Sequence, residues 1–285
     1  MVRTIGNPLS WGLRQLGTAG DDIGKVSRRI GGTGEIPRVR ALSFADLGAA
    51  LRLGLRDFAA LRTDVIAAAM LYPLAGICMV WAAWHGALLH LVFPIASGFA
   101  LVGPAVAIGF YEMSRRREAG QAANWLDGFR VLASPAFGVM FIGAMMLAAV
   151  FFGWLLTAYF VFLVTMGPEI PMSAQDFVRD VLTTPSGWAM IAIGVPLGAV
   201  YAAMVLASAI VTFPLLLDRD VGLPAAIVTS LRVTRAAPGP VLAWGAIVAG
   251  LLVLGTIPLF LGLAIVLPVL GHASWHLYRL AVRAE

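Results

Sequence analysis

The chain has 285 residues, 60% hydrophobic and 12% charged, with a net charge of +5 and a mean hydropathy of +0.89. A water-soluble domain carries about 25% charged residues, so a soluble fold is excluded and bilayer-crossing apolar stretches are expected. The basicity does not point to nucleic acid: the arginines flank apolar runs, where anionic lipid headgroups are the natural partner.

Residues 1–42 are polar and Gly-rich with scattered Arg, and read as a disordered cytoplasmic tail ahead of a membrane domain at 43–280. Five apolar blocks follow, at 65–84, 88–111, 136–166, 187–217 and 240–278. A crossing takes about 20 residues. The last block is interrupted by Gly255-Thr256-Ile257-Pro258 and divides into 240–255 and 258–278, giving six spans. The alternative is one long helix with a re-entrant stretch. The single Cys, Cys78, cannot form an internal disulfide.

Basic residues set the orientation. Nineteen of the twenty Lys and Arg fall in the segment through Arg62, the loops at 112–135 and 218–239, and the tail after residue 278; the exception is Arg179. Cytoplasmic loops retain Lys and Arg, so both termini are expected in the cytoplasm, which requires an even number of spans. On the outer side, Ser173-Ala-Gln-Asp176 reads as a cap opening a short surface helix in the loop 167–186.

Three cytoplasmic segments share a pattern: Leu47, Leu51, Arg52, Leu53; Trp125, Phe129, Arg130, Val131; Ile227, Leu231, Arg232, Val233. Apolar residues four apart share one face of an α-helix, and the Arg beside them can reach lipid phosphate along an apolar stem. Each segment precedes a pair of apolar spans. The fold expected is an all-α membrane bundle of six transmembrane helices with cytoplasmic interfacial helices and a threefold internal repeat. Two even spans agree further: Pro104 precedes Tyr111, Glu112 and Arg115 at the offsets at which Pro268 precedes Trp275, His276 and Arg279.

Three stretches carry a resemblance: Ser97 to Pro104 running into Tyr111-Glu-Met-Ser-Arg-Arg-Arg117, Phe213-Pro-Leu-Leu-Leu-Asp-Arg-Asp220, and Gly271-His-Ala-Ser-Trp-His-Leu-Tyr-Arg279. Over roughly residues 40–280 the chain resembles a family of bacterial integral membrane proteins catalogued as a domain of unknown function. The resemblance implies a bacterial inner-membrane protein and lends no catalytic role.

His272 and His276 lie four apart on one face of the last span, a spacing used by metal and haem sites; residue 273 is Ala, so the His-Glu-x-x-His chemistry of zinc proteases is absent. Glu112 stands at a span end within helical reach of Arg115 or Arg116, and the repeat would place it beside His276 in one cytoplasmic vestibule. Asp218 and Asp220 flank Arg219 and could hold a metal or form surface ion pairs. Pro104 and Pro268 permit bends. Arg52, Arg115, Arg116, Arg117, Arg130 and Arg232 are the expected lipid-headgroup contacts.

The scarcity of charge at membrane depth favours a non-enzymatic scaffold, assembly or lipid-organising module. The alternatives are a permease for an apolar or lipid-like solute, and an intramembrane metal-dependent enzyme using Glu112, Asp218, Asp220, His272 and His276. Membrane lipids and another membrane protein are the expected partners; nucleic acid is not, and no cofactor is assigned.

Overall fold

The structure, a computed structural model, describes residues 35–69, 74, 81, 89–168, 173–258 and 260–283. The tail at 1–34, most of the expected first span at 65–84 and His85 lie outside the described residues. Those described are helical apart from loops and a single antiparallel bridge between Val39 and Val282.

Helix α1 (Phe44–Ala69) opens on a reciprocal cap: Ser43 Oγ accepts from the Asp46 N–H at 3.3 Å, and the Asp46 carboxylate accepts from the Ser43 N–H at 2.7 Å. Helices α2 (Val92–Val106) and α3 (Ile108–Glu118) form one rod with a break at Ala107, one turn after Pro104. Helix α4 (Phe137–Met166) is uninterrupted. The outer helix α5 (Ala174–Thr183) begins at Ser173, whose hydroxyl accepts from the Asp176 N–H at 3.1 Å. Helices α6 (Pro185–Ala209) and α7 (Thr212–Asp218) meet at a second break, where Pro214 has no N–H to offer the carbonyl four residues back. Then come α8 (Leu223–Ala236), α9 (Pro238–Thr256) and α10 (Leu263–Ala281). The last apolar block is thus two helices. Their joining turn brings Gly255 and Gly262 backbone to backbone, and Phe260 takes a positive φ of 65°.

Among the described residues, four stretches are long and apolar enough to cross a membrane: Val92–Glu118, Phe137–Met166, Pro185–Asp218 and Pro238–Thr256. Their outward faces carry Phe152, Leu156, Phe160, Val164, Val200 and Leu254, all largely exposed. In water such a surface would be untenable; against lipid tails it carries no penalty. The tightest packing sits instead at one end of the bundle, where α3, α7, α8 and α10 converge and Trp275, Tyr278, Phe213, Leu215 and Leu277 are fully buried. Helix α10 turns its second half into this core rather than towards lipid.

Small residues set the helix spacing. A Cβ on Gly54 of α1 would stand 2.5 Å from the Ala273 backbone nitrogen of α10, and one on Gly271 would stand 2.6 Å from the Phe110 ring. These contacts draw α1 and α3 onto α10, and that proximity assembles the polar residues described next.

The three Arg-bearing segments do not behave alike. The first and third lie in α-helices and turn Leu47 and Val233 into the core. The second, expected as an α-helical face, is a 3₁₀ helix over Trp125–Ala133, and both Trp125 and Phe129 are exposed. Asn124 caps its first turn: the Asn124 side chain accepts from the Asp127 N–H at 3.2 Å while Asp127 accepts from the Asn124 N–H at 2.9 Å.

Candidate functional site

At the convergent end of the bundle, polar side chains from α1, α3, α7 and α10 form two linked networks. Asp57 of α1 is the hub of the first. Its Oδ2 accepts from Ser114 Oγ at 2.6 Å and lies 2.9 Å from His276 Nε2; its Oδ1 accepts from Arg117 Nε at 3.0 Å. Ser114 Oγ also lies 2.8 Å from His272 Nδ1. Ser114 has one proton and gives it to the carboxylate, so His272 Nδ1 must be the donor to Ser114. That assigns the tautomer and leaves His272 Nε2 as a bare acceptor. Among the described residues it is buried without a hydrogen-bond partner, near the ring of Phe110, whose centroid is 5.5 Å from that of the imidazole.

Burial pushes the Asp57 carboxyl up, but the hydrogen bonds from His276, Ser114 and Arg117 outweigh it and hold the group at about 2. Asp57 is therefore a fixed anion joining three helices, not a proton acceptor at neutral pH.

The second network is centred on Arg279. Its guanidinium bridges Glu118 at 3.0 Å and Asp218 at 3.2 Å. Glu118 also accepts from Trp275 Nε1 at 2.9 Å, and Asp218 from the Tyr278 hydroxyl at 2.6 Å. Two of the largest core side chains thus end on carboxylates at the polar surface, which fixes their rings. Nearby, Arg40 Nε donates to the Leu280 carbonyl at 2.9 Å and its Nη2 meets Asp46 at 2.8 Å, tying the start of the described chain to its end.

The expected site residues separate. His272 and His276 share a helix face but take different partners. Glu112 turns to Arg115, with Arg115 Nε 2.8 Å from the carboxylate, so it does not join His276. Asp218 anchors Tyr278 and Arg279, and Asp220 sits in the exposed turn after α7. Pro104 lies inside α2 and Pro268 is buried inside α10. Of the expected lipid-contacting arginines, Arg115, Arg116, Arg117 and Arg130 each reach an acid, while Arg52 and Arg232 are exposed on α1 and α8. Among the described residues no three His, Cys, Asp or Glu side chains gather to hold a metal. Sequence reasoning missed Asp57, Ser114 and Glu118. Asp57 follows Arg56 on an amphipathic helix and resembles any solvated acid; only the approach allowed by Gly54 gives it a role.

Comparison with known proteins agrees with this membrane architecture. Residues 91–218 match the model of a family described as predicted integral membrane protein, DUF2189. The matched stretch holds Ser97 to Arg117 and runs through Phe213 to Asp218, while the motif at Gly271–Arg279 lies beyond it. No curated protein and no solved structure matches the chain.

Proposed function

We propose that the protein is a non-enzymatic scaffold that organises lipid at the cytoplasmic boundary of a bacterial inner membrane. The observation that carries this reading is the closure of the polar end on itself. Asp57, Glu112, Glu118, Asp127 and Asp218 each engage a side chain of the same protein. Carboxylates held in this way brace helices and are poor general bases. The apolar flanks of α4, α6 and α9 meanwhile present lipid with a broad contact surface.

A six-span arrangement of three helical hairpins is part of the proposal. The pairing of Val39 with Val282 supports an even number of crossings between them. Four candidate spans, together with the block at 65–84 and helix α10, make six. The arginines clustered at that end support its placement in the cytoplasm.

The test is native mass spectrometry of the full chain extracted gently with its own lipids. Retained phospholipid, or a second polypeptide, supports the scaffold reading. A stoichiometric metal, haem or soluble metabolite would overturn it.

A permease for an apolar or lipid-like solute is the second reading, favoured by the helix breaks at Ala107 and at Ile210–Val211, because transporters build their pathways from interrupted helices.

A further inference from the structure

The 3₁₀ helix Trp125–Ala133 has three residues per turn, so positions three apart lie directly above one another. The helix therefore has three distinct faces. Leu126, Phe129 and Leu132 form the first, and they are 58%, 57% and 59% exposed. Gly128 and Val131 belong to the second, which meets the bundle: Val131 is buried, and a Cβ on Gly128 would lie 3.4 Å from the Gly109 backbone of α3. Asp127 and Arg130 form the third. An apolar face with such exposed large residues has no place in water, and a nine-residue helix too short to span must lie along the boundary.

Two further features surround that stripe. An apolar cleft of about 220 Å³ opens between the 3₁₀ helix, α3 and α4, lined by Ile108, Gly128, Phe129, Leu132, Phe141 and Ala144 among others. On the polar face, a single carboxylate serves two guanidinium groups: Asp127 lies 2.6 Å from Arg130 Nε and 3.8 Å from Arg116 Nε. One positive charge is left over, and the Arg130 side chain is 66% exposed.

We infer that this element is a binding site for one anionic phospholipid, with its phosphate at Arg130 and Arg116 and an acyl chain laid over Leu126, Phe129 and Leu132 into the cleft. The inference rests on the lipid-organising reading and gives it a location. Charge complementarity chooses the occupant: a zwitterionic lipid brings no net charge to match the surplus cation, whereas an anionic one does. The capping of Asp127 by Asn124 holds the two arginines in place before any lipid arrives, which lowers the ordering cost of binding.

The test uses the full-length protein, delipidated in detergent and titrated with phosphatidylglycerol or phosphatidylcholine under native mass spectrometry. Wild type should take up one phosphatidylglycerol in preference to phosphatidylcholine. Arg130→Gln should weaken phosphatidylglycerol binding about fivefold, the effect of one cation near an anionic surface, and leave phosphatidylcholine unchanged. Ala144→Leu, which fills the cleft from α4, should weaken both. Arg232→Gln removes an exposed arginine from α8 and should change neither. Equal losses from Arg130→Gln and Arg232→Gln would overturn the site in favour of diffuse electrostatics. Unchanged binding by Ala144→Leu would overturn the cleft. If wild type takes up no phospholipid at all, the lipid-organising reading falls with it.

Discussion

Removing the Asp57 carboxylate is the sharpest perturbation of this structure. Asp57 is 7% exposed and holds Ser114, His276 and Arg117 together across three helices. Its carboxyl sits at about 2 against an ordinary 3.8. A shift of that size corresponds to about 2 kcal/mol favouring the folded anion. Asp57→Asn keeps an acceptor but loses the charge and should cost about that amount. Asp57→Ala also strands Ser114 and leaves Arg117 and His276 without their anion; truncating one partner of a buried pair costs about 3–5 kcal/mol, and the partial exposure of Arg117 argues for the lower end. In lipid nanodiscs the apparent melting temperature should fall by roughly 4–8 °C for the Asn variant, and further for Ala. The pH dependence has a definite sign. A depressed carboxylate pKa contributes stability that is present above about 3.8 and is lost as pH falls through about 2. The gap between wild type and Asp57→Asn should therefore hold from pH 7 to pH 5 and shrink between pH 4 and pH 2. A variant melting within a degree of wild type, or a gap that does not close in acid, would refute the bracing role.

Gly54→Val should disrupt the contact between α1 and α10, since its Cβ would enter the Ala273 backbone; the measurement is yield of monodisperse protein after extraction, expected to drop several-fold. Val39→Cys with Val282→Cys, in a Cys78→Ser background, should form an intramolecular disulfide under mild oxidation because the two positions pair directly, and absence of a gel shift on reduction would count against the joined ends. Arg279→Ala should release Glu118 and Asp218 together, loosening Trp275 and changing its fluorescence, while an unchanged spectrum would show that the indole is held by packing alone. Pro104→Ala and Pro268→Ala should leave lipid uptake intact under the scaffold reading; loss of lipid or solute flux across proteoliposomes in both would instead favour the permease.

What the sequence made legible was set by local chemistry. The apolar blocks at 136–166 and 187–217 correspond closely to Phe137–Met166 and to the rod Pro185–Asp218, because hydropathy over twenty residues needs no tertiary information. The caps at Ser173 and the turn at Gly255–Pro258 were readable for the same reason. The 3₁₀ form of Trp125–Ala133 was not. Trp125 and Phe129 fit an α-helical spacing, yet Leu126, Phe129 and Leu132 fit a spacing of three equally well, and the cap by Asn124 and Asp127, like that of Ser43 and Asp46 on α1, fits either form. The Asp57 hub was illegible because its partners lie 57 to 219 residues away.

These unread features account for the division of labour in the molecule. At membrane depth the chain spends its sequence on apolar surface and on proline or small residues that shape the rods. Ionisable groups gather where the helices end, and there Asp46, Asp57, Glu112, Glu118, Asp127 and Asp218 each meet a base. Such matching has a consequence for recognition. Where an acid meets one base the pair is neutral and has little to offer an anion; where Asp127 meets both Arg116 and Arg130, a cation is left over beside an exposed apolar stripe. The same bookkeeping at Arg279 runs the other way, with two carboxylates on one guanidinium. The polar end therefore leaves an unmatched cation beside an apolar stripe at the 3₁₀ helix, whereas at the bundle centre the acids have further cations near them: Arg115 faces Asp218 as well as Glu112, and Arg219 lies near Tyr278. Under the proposed lipid site, an anionic headgroup would meet that unmatched cation at the rim, and the paired centre would serve as a brace.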